Sequence, residues 1–312
     1  MTRDWHGVTP AYRRDDGARA TSLFDLPGAL ARDGVLAAWG ELDDPFATVV
    51  AGVRREPCAA IAPVAGGFLA SFEAEVARIA AGARDPIVAL GGGLDAAAVL
   101  VAWRASGVAM PAVATLATGL LDYDEVAEAE AIAKALDVRC EVLRVTPSEL
   151  VALAPDAAIA AETPLYNLHP VHRLAVARAA RATGAATLVT GDGADACFAG
   201  RPDLDYVPIV AALTGAGRLA LASPFLAPAV IAATPQDPRK HLLRDYLREH
   251  LGALADRPKH VRLLPPLALP LDRARIDLLA HTLGLPLQLE RDHRRVGWHT
   301  LDHVVRHLGR HA

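Results

Sequence analysis

The feature that most constrains this chain's fold is the alternation of short apolar runs with longer segments of helical periodicity. The runs occupy residues 85–90, 111–118, 140–145 and 186–190, and a helical pattern follows each of the first three. Short strands that alternate with longer helices form parallel sheets covered by helices on both faces. We therefore predict an α/β fold, a parallel sheet sandwiched by helices, with a helical and proline-rich part after residue 200.

The composition restricts the class of protein. The 312 residues are 52% hydrophobic and 22% charged, which is typical of a globular protein with a buried core. A net charge of −4, with both signs interspersed, argues against a nucleic-acid partner. Three widely spaced cysteines without CxxC predict neither a disulfide framework nor a zinc site. The polar N-terminus and interrupted apolar stretches lead us to expect a cytoplasmic protein that does not bind a membrane.

Residues 1–70 are broken by proline and glycine. Within them, FATVVAGV at 46–53 predicts a strand.

A glycine-rich turn, LGGGLDA at 90–96, joins the first of these strands to a helix. Such a turn directs backbone N–H groups and a helix N-terminus at one point, an arrangement that binds phosphate. Asp95 is suitably placed for a magnesium ion that bridges phosphates. The pattern is neither a Walker A motif nor a GxGxxG fingerprint, and the residues alone are equally compatible with a ligand-free corner.

A second Gly/Asp turn makes it less plausible that the first is only a ligand-free corner. TGDGADACFAG at 190–200 follows another strand and places Asp192 and Asp195 three residues apart. Ligands of parallel sheets bind at the carboxyl ends of the strands, so two Gly/Asp turns at such ends favour a shared phosphate site. Lysine is scarce, since Lys134, Lys240 and Lys259 are the only lysines among 32 basic residues. Lysine and arginine differ in shape and hydration, so these three positions are candidates for a specific role.

These segments together resemble the asparagine synthetase family. LGGGLDAA is similar to its pyrophosphate loop LSGGLDSS, and TGDGADACFAG is similar to its SGDGADELFGG motif. Segments similar to further family elements occur in the family's order at 120–136, 162–184, 222–233 and 239–260. The resemblance implies an adenine nucleotide α-hydrolase-like fold of the PP-loop ATP pyrophosphatase type. It divides the chain into a short N-terminal region (1–70), an ATP-binding domain (71–265) and a helical C-terminal extension (266–312).

The activity implied by the resemblance is ATP- and Mg²⁺-dependent amide formation. A small-molecule or peptide carboxylate would be activated as an acyl-adenylate and attacked by an amine or ammonia. By motif position Asp95 and Asp195 would hold Mg²⁺, and Lys259 would stabilise charge near the α-phosphate. Lys240 would support Lys259, and Asp192 would act as an acid/base or orient the substrate. The nucleotide would be bound, largely through the backbone, by Leu90, Gly91, Gly92, Gly93, Asp95, Ala96, Thr118 and Gly191.

The chain also departs from the family pattern. The loop's serines are replaced by Gly91, Ala96 and Ala97, which removes hydroxyl contacts to phosphate but keeps the N–H donors. About 70 residues before the synthetase-like part are too few for a glutaminase domain, so we expect the amine to come from solution, from the substrate or from a partner protein. The favoured reading is a ligase of specialised metabolism. The alternative is a non-catalytic nucleotide-binding or scaffold homologue that partners a complete enzyme. Either function is compatible with a partner protein or a homo-oligomer.

Histidines form two further patterns. His299, His303, His307 and His311 lie four residues apart, and we predict a solvated helix face or a partner surface rather than a zinc site. His169 and His172 precede the second turn, where packing and a substrate role both remain open. Lys134 is predicted to be a solvated surface residue.

Overall fold

The computed structural model of the chain describes residues 10–44, 46–57, 66–120, 122–200, 206–258 and 267–309. The strands in these ranges are Tyr12–Arg14 (β1), Arg19–Ala20 (β2), Val53–Arg55 (β3), Pro86–Ala89 (β4), Ala112–Ala117 (β5), Cys140–Arg144 (β6), Thr187–Val189 (β7) and Ala220–Ala222 (β8). The helices are Arg32–Ala38 (α1), Phe68–Gly82 (α2), Leu94–Ala105 (α3), Val126–Ala135 (α4), Pro147–Ala161 (α5), His169–Ala182 (α6), Ala194–Phe198 (α7), Tyr206–Ala216 (α8), Pro228–Ala233 (α9), His241–Leu251 (α10), Arg273–Leu283 (α11) and Asp292–Leu308 (α12). Short 3₁₀ turns occur at Leu23–Asp25, Pro224–Leu226 and Gly252–Asp256.

A parallel sheet organises the described chain, with strand order β6-β5-β4-β7-β8. β4 is central, since Val88 pairs with Val113 of β5 and with Val189 of β7. The chain runs outward through β5 and β6 on one side and through β7 and β8 on the other. The order therefore reverses beside β4, which is where open parallel sheets bind ligands. The predicted sheet is confirmed and contains one additional strand, β8.

Helices cover both faces of this sheet, as predicted. Successive side chains on a strand point to opposite faces, and Ile87 and Val88 of β4 accordingly belong to two different buried clusters. Ile87 packs in the cluster that includes α5, α6 and α12, and Val88 in the cluster that includes α2, α3 and α10. The rigid sandwich fixes where the loops at the carboxyl edge emerge. In the part of the chain described, no helix is both long and apolar enough to cross a membrane.

The N-terminal residues form a small antiparallel sheet of order β2-β1-β3. The strand predicted at 46–53 is wrong, because Ala47 and Val50 make only isolated bridges and β3 begins at Val53. The Thr48 hydroxyl donates hydrogen bonds to the carbonyl oxygens of Val50 and Val53. Side-chain bonds of this kind compete with ladder pairing, and here they hold the segment in turns.

The N-terminal residues and the last helix share one core. The rings of Trp39 and Trp298 meet edge to face with centroids 4.9 Å apart. Arg294, only 2% exposed, pairs with Glu41 and lies 4.4 Å from the Trp39 ring centroid. Residues just after α1 are therefore packed on the last helix, across the predicted domain ranges, and the boundaries of those ranges stay a prediction.

The histidine stripe is not the solvated or partner-facing surface that its spacing predicted. His299 on α12 is only 3% exposed, and His303 and His307 are half-buried. His307 packs edge to face on Phe24 with ring centroids 4.4 Å apart. Phe24 covers the His307 end of this face and the backbone of Pro270 lies beside His299, which the helical spacing alone could not reveal. His311 lies outside the described residues, and Lys134 is exposed, as predicted.

His299 should make the stability of the protein depend on pH. Burial, and secondarily the charge of the neighbouring His303, lowers the pKa of His299 to about 4. The unfolded chain, with an ordinary histidine pKa near 6.5, binds more protons than the folded chain between those two values. The free energy of unfolding should therefore fall as the pH drops from 6.5 towards 4, by on the order of 3 kcal/mol from this residue.

Urea unfolding at a series of pH values measures this contribution. His299→Gln should flatten the loss of stability between pH 6.5 and 5 relative to the parent protein. The matched control is His281→Gln, at an exposed position on α11. Equal losses in the parent and His299→Gln proteins would contradict the assignment.

Candidate functional site

The two predicted loops lie side by side at the carboxyl edge of the sheet, because β4 and β7 are paired neighbours. The loop after β7 touches the first turn of α3 directly. A Cβ added at Gly191 would lie 2.5 Å from the Cβ of Asp95 and 2.8 Å from the backbone nitrogen of Ala96. Glycine at 191 is therefore required by a close approach of backbone, and this approach joins the two loops into one site.

The three glycines at 91–93 do not form a left-handed turn, since none of them has a positive φ. Gly92 faces α4, where an added Cβ would lie 2.8 Å from the Cβ of Glu128. Gly93 is exposed with no atom within 4 Å of an added Cβ, and it precedes α3 without a side-chain cap. Uncapped N–H groups at a helix N-terminus attract anions, so the loop has the geometry that phosphate binding requires.

A cavity of about 760 Å³ opens over these loops. Its volume falls in the usual range for small-molecule sites. The predicted site residues that line it are Leu90, Gly91, Gly93, Asp95, Ala96, Gly191, Asp192 and Asp195. Gly92, Thr118 and Lys240 are not among the lining residues. The N–H of Gly92 donates to Glu125, and Thr118 gives both its N–H and its hydroxyl to the carboxylate of Asp124.

Lys240 joins the two carboxylates that the sequence assigns to a metal. Its Nζ donates to both oxygens of Asp95, at 2.7 and 2.8 Å, and lies 2.6 Å from Oδ1 of Asp195. The residue is 8% exposed and comes directly before α10. Sequence reasoning made Lys240 a secondary support for Lys259, whereas the structure places it between the loops. Lys259 itself lies outside the described residues.

Asp192 is held by a residue that sequence reasoning missed. Nη2 of Arg173 lies 2.8 Å from both carboxylate oxygens of Asp192, and both side chains are largely buried at the cavity wall. Arg173 shares the cavity-facing side of α6 with His169 and His172. The signal was available in the sequence, because positions 169, 172 and 173 share one face of a helix. The ion pair fixes the direction of the Asp192 carboxylate.

The two histidines at 169 and 172 line the cavity beside an aromatic ring. Tyr123 is almost fully buried, with its hydroxyl 3.3 Å from Nδ1 of His169 and its ring centroid 5.8 Å from those of both imidazoles. Both histidines pack against Tyr123 and also line the cavity. Packing and a substrate contact, the two roles that the sequence left open, are therefore both compatible with the structure.

Thiol chemistry does not fit the site. Cys197 lies on α7, two residues after Asp195, and burial raises the pKa of its thiol to about 12. The thiol is therefore protonated at neutral pH and is a poor nucleophile.

The acidic residues fit Mg²⁺ bound together with phosphates. In the described ranges no cluster of three or more histidine, cysteine or acidic side chains is arranged for a metal. Asp95 and Asp195 converge on one ammonium, and a pair of carboxylates is the protein contribution typical of Mg²⁺–nucleotide sites, where phosphates and water complete the octahedron. Carboxylate oxygens are also the ligands that Mg²⁺ prefers.

Comparison with known families decides the relationship. The model of the family described as asparagine synthase matches residues 68–296, from the start of α2 into α12. The chain belongs to the asparagine synthase family. Its members are ATP-dependent ligases of the PP-loop type that act on carboxylates with an amine or ammonia, usually with Mg²⁺. The predicted family is thereby confirmed, and the match extends beyond residue 265 on the C-terminal side.

Other comparisons add little. No curated protein matches the chain. Its structure is similar to NMN synthetase from Francisella tularensis, with 13% identity and a TM-score of 0.35 over 79% of this chain and 94% of that one. It is also similar to NAD⁺ synthetase from Burkholderia pseudomallei, with 15% identity and a TM-score of 0.27 over 72% of this chain and 93% of that one. Both similarities are too weak to strengthen the family assignment.

Gly191→Ala should separate the two loops. The added methyl group meets the backbone of Asp95 and Ala96, and overpacking of this kind costs about 1–3 kcal/mol in the free energy of unfolding. Urea unfolding measures the loss. Gly215→Ala, in α8 with nothing within 4 Å of the new Cβ, is the matched control and should leave stability unchanged or slightly raised. An equal effect of both substitutions would contradict the close approach.

Proposed function

We propose that the protein uses ATP to activate a carboxylate as an acyl-adenylate and transfers the acyl group to an amine. The observation that carries this proposal is the convergence of Asp95 and Asp195, from two adjacent loops, on the ammonium of Lys240 at the carboxyl edge of the sheet. Convergent carboxylates with a buried cation and an uncapped helix N-terminus are suited to a metal–triphosphate complex.

The first step forms the mixed anhydride. A carboxylate oxygen of the substrate attacks the α-phosphorus, and the bond from that phosphorus to the pyrophosphate oxygen breaks. Negative charge accumulates on the departing pyrophosphate. The N–H groups at the start of α3 and the ammonium of Lys240 would stabilise that charge, and Lys259 would do so nearer the α-phosphate. Mg²⁺ held by Asp95 and Asp195 would supply further charge neutralisation.

The nucleotide would lie in the cavity over the two loops. Leu90 and Gly191 line the cavity and are proposed to contact adenosine. Thr118 is almost fully buried with its N–H and hydroxyl taken by Asp124, so we propose that it braces the end of β5 behind the adenosine pocket. Gly92, bonded to Glu125, would brace the loop in the same way.

The second step forms the amide. The amine nitrogen attacks the carbonyl carbon of the adenylate, AMP leaves with the electrons of the broken carbon–oxygen bond, and the nitrogen loses a proton. Asp192 lies at the cavity wall with its carboxylate fixed by Arg173. A carboxylate fixed in this way would orient the incoming amine and accept a hydrogen bond from it.

One observation favours a second candidate, a nucleotide-binding homologue without turnover. Alanine and glycine replace the hydroxyl residues of the loop, and each lost hydrogen bond to a charged phosphate would cost about 1.5–3 kcal/mol. In this alternative the protein binds Mg·ATP and serves a partner enzyme. The two candidates share the binding site and differ only in chemistry.

Calorimetric titration with Mg·ATP tests the shared site. Asp95→Asn and Asp195→Asn should each weaken binding by about tenfold or more, since a contact with a charged group contributes about 1.5–3 kcal/mol and about 1.4 kcal/mol corresponds to tenfold. Asp277→Asn, at an exposed position on α11, is the control and should bind as the parent does. Unchanged affinity in both loop variants would contradict the site.

Exchange of labelled pyrophosphate into ATP, with pools of candidate carboxylates, separates the two candidates. Adenylation predicts exchange that depends on a carboxylate and is lost in Lys259→Ala. Tight Mg·ATP binding with no exchange from any pool favours the nucleotide-binding homologue without turnover.

A further inference from the structure

Lys240 contacts the two carboxylates that would hold Mg²⁺. This position is unusual for a lysine whose only role is to stabilise charge on ATP. Its ammonium contacts both carboxylates assigned to Mg²⁺, at distances of 2.6 to 2.8 Å. Contacts this short between full charges are the strong class of hydrogen bond. Between these carboxylates a lysine therefore supplies the positive charge that Mg²⁺ would supply in a loaded site.

The backbone holds Lys240 in this position. Its φ is 53°, in the left-handed region that residues with a side chain rarely adopt. The N–H of Lys240 donates to the carbonyl of Asp237, whose carboxylate accepts the N–H of His241 at the start of α10. The ring of Phe198 lies 5.9 Å from the ammonium. A strained conformation persists where its surroundings over-determine it, so the backbone from which the Lys240 side chain extends is fixed, and the ion pairs with Asp95 and Asp195 hold its ammonium.

The charges around the ammonium make it a barrier to a bare divalent ion. Asp95 and Asp195 together carry two negative charges, one of which Lys240 neutralises. A divalent ion that entered between these carboxylates would meet the Lys240 ammonium within a few ångströms, and the repulsion is strongest on the Asp95 side, where both side chains are largely buried. A triphosphate changes this balance, because its oxygens give the ammonium new partners.

We propose that Lys240 is the resident cation of this site: it holds the two loops together, excludes divalent ions while nucleotide is absent, and passes to the phosphates when nucleotide arrives. Divalent-ion binding is then conditional on nucleotide. The transfer to the phosphates rests on the proposed function, whereas the exclusion of the bare ion rests only on the three distances.

Electron paramagnetic resonance of Mn²⁺, without nucleotide, tests the exclusion. The parent protein should leave the free Mn²⁺ signal unchanged up to millimolar protein. Lys240→Met should gain a Mn²⁺ site at least about tenfold tighter than the parent, and Mg²⁺ should raise its melting temperature. Lys134→Met, which removes the same charge from an exposed position on α4, should behave as the parent does. Asp95→Asn added to Lys240→Met should abolish the new site.

A second measurement needs no substitution. Mn²⁺ should bind the parent protein once a non-hydrolysable ATP analogue is present. Binding of Mn²⁺ alone to the parent protein as tightly as to folded Lys240→Met overturns the proposal, as does a folded Lys240→Met protein that gains no Mn²⁺ affinity. If Lys240→Met does not fold, the parent protein without nucleotide decides. Mn²⁺ binding by that protein overturns the proposal, and no Mn²⁺ binding supports it. If ATP analogues do not bind, the proposed function is wrong. The comparison of Mn²⁺ binding between the parent and Lys240→Met proteins then decides the exclusion alone.

Discussion

The contact between Gly191 and the first turn of α3 is the constraint on which the site depends. It exists because β4 and β7 are neighbours in a parallel sheet, so their two loops leave the same edge together. With no side chain at 191, the backbones meet and bring Asp95 within reach of the ammonium that also contacts Asp195. Sheet topology thus produces a two-carboxylate site from residues 100 positions apart.

Ion pairs then hold the carboxylates of that site in position. Each carboxylate at the cavity that we assign a function has a basic partner: Lys240 for Asp95 and Asp195, and Arg173 for Asp192. Asp192 and Asp95 are largely withdrawn from water, with side chains 15% and 23% exposed, and such carboxylates require partners, whereas Asp195 is 65% exposed. The pairing joins the loops, and under the proposed function binding of Mg·ATP would exchange these ion pairs for contacts with phosphates and metal.

The sequence predicted the sheet and both loops because those features are local. Strands β4 to β7 have apolar runs, and the glycine and aspartate turns follow β4 and β7 directly. β8 escaped prediction because three residues, Ala-Leu-Ala, carry no strand pattern in a proline-rich region. The segment at 46–53 has strand composition, and the hydroxyl of Thr48 overrides it.

Long-range contacts account for what the sequence missed at the site and on α12. Helical spacing places Arg173 beside His169 and His172, but it does not reveal that Arg173 pairs with Asp192, 19 residues away. Nothing local pairs Lys240 with Asp95, 145 residues away. The stripe of histidines on α12 looked solvated because helical spacing gives a face without saying what covers it. Phe24 packs on its His307 end, and His299 is buried beside the backbone of Pro270.

A crystal structure with Mn²⁺ and a non-hydrolysable ATP analogue tests the central claim most directly. The account predicts an anomalous Mn²⁺ peak coordinated by Asp95 and Asp195, phosphate oxygens at the N–H groups that begin α3, and the Lys240 ammonium on a phosphate. A nucleotide bound away from these two loops, or a metal held without either aspartate, would contradict it.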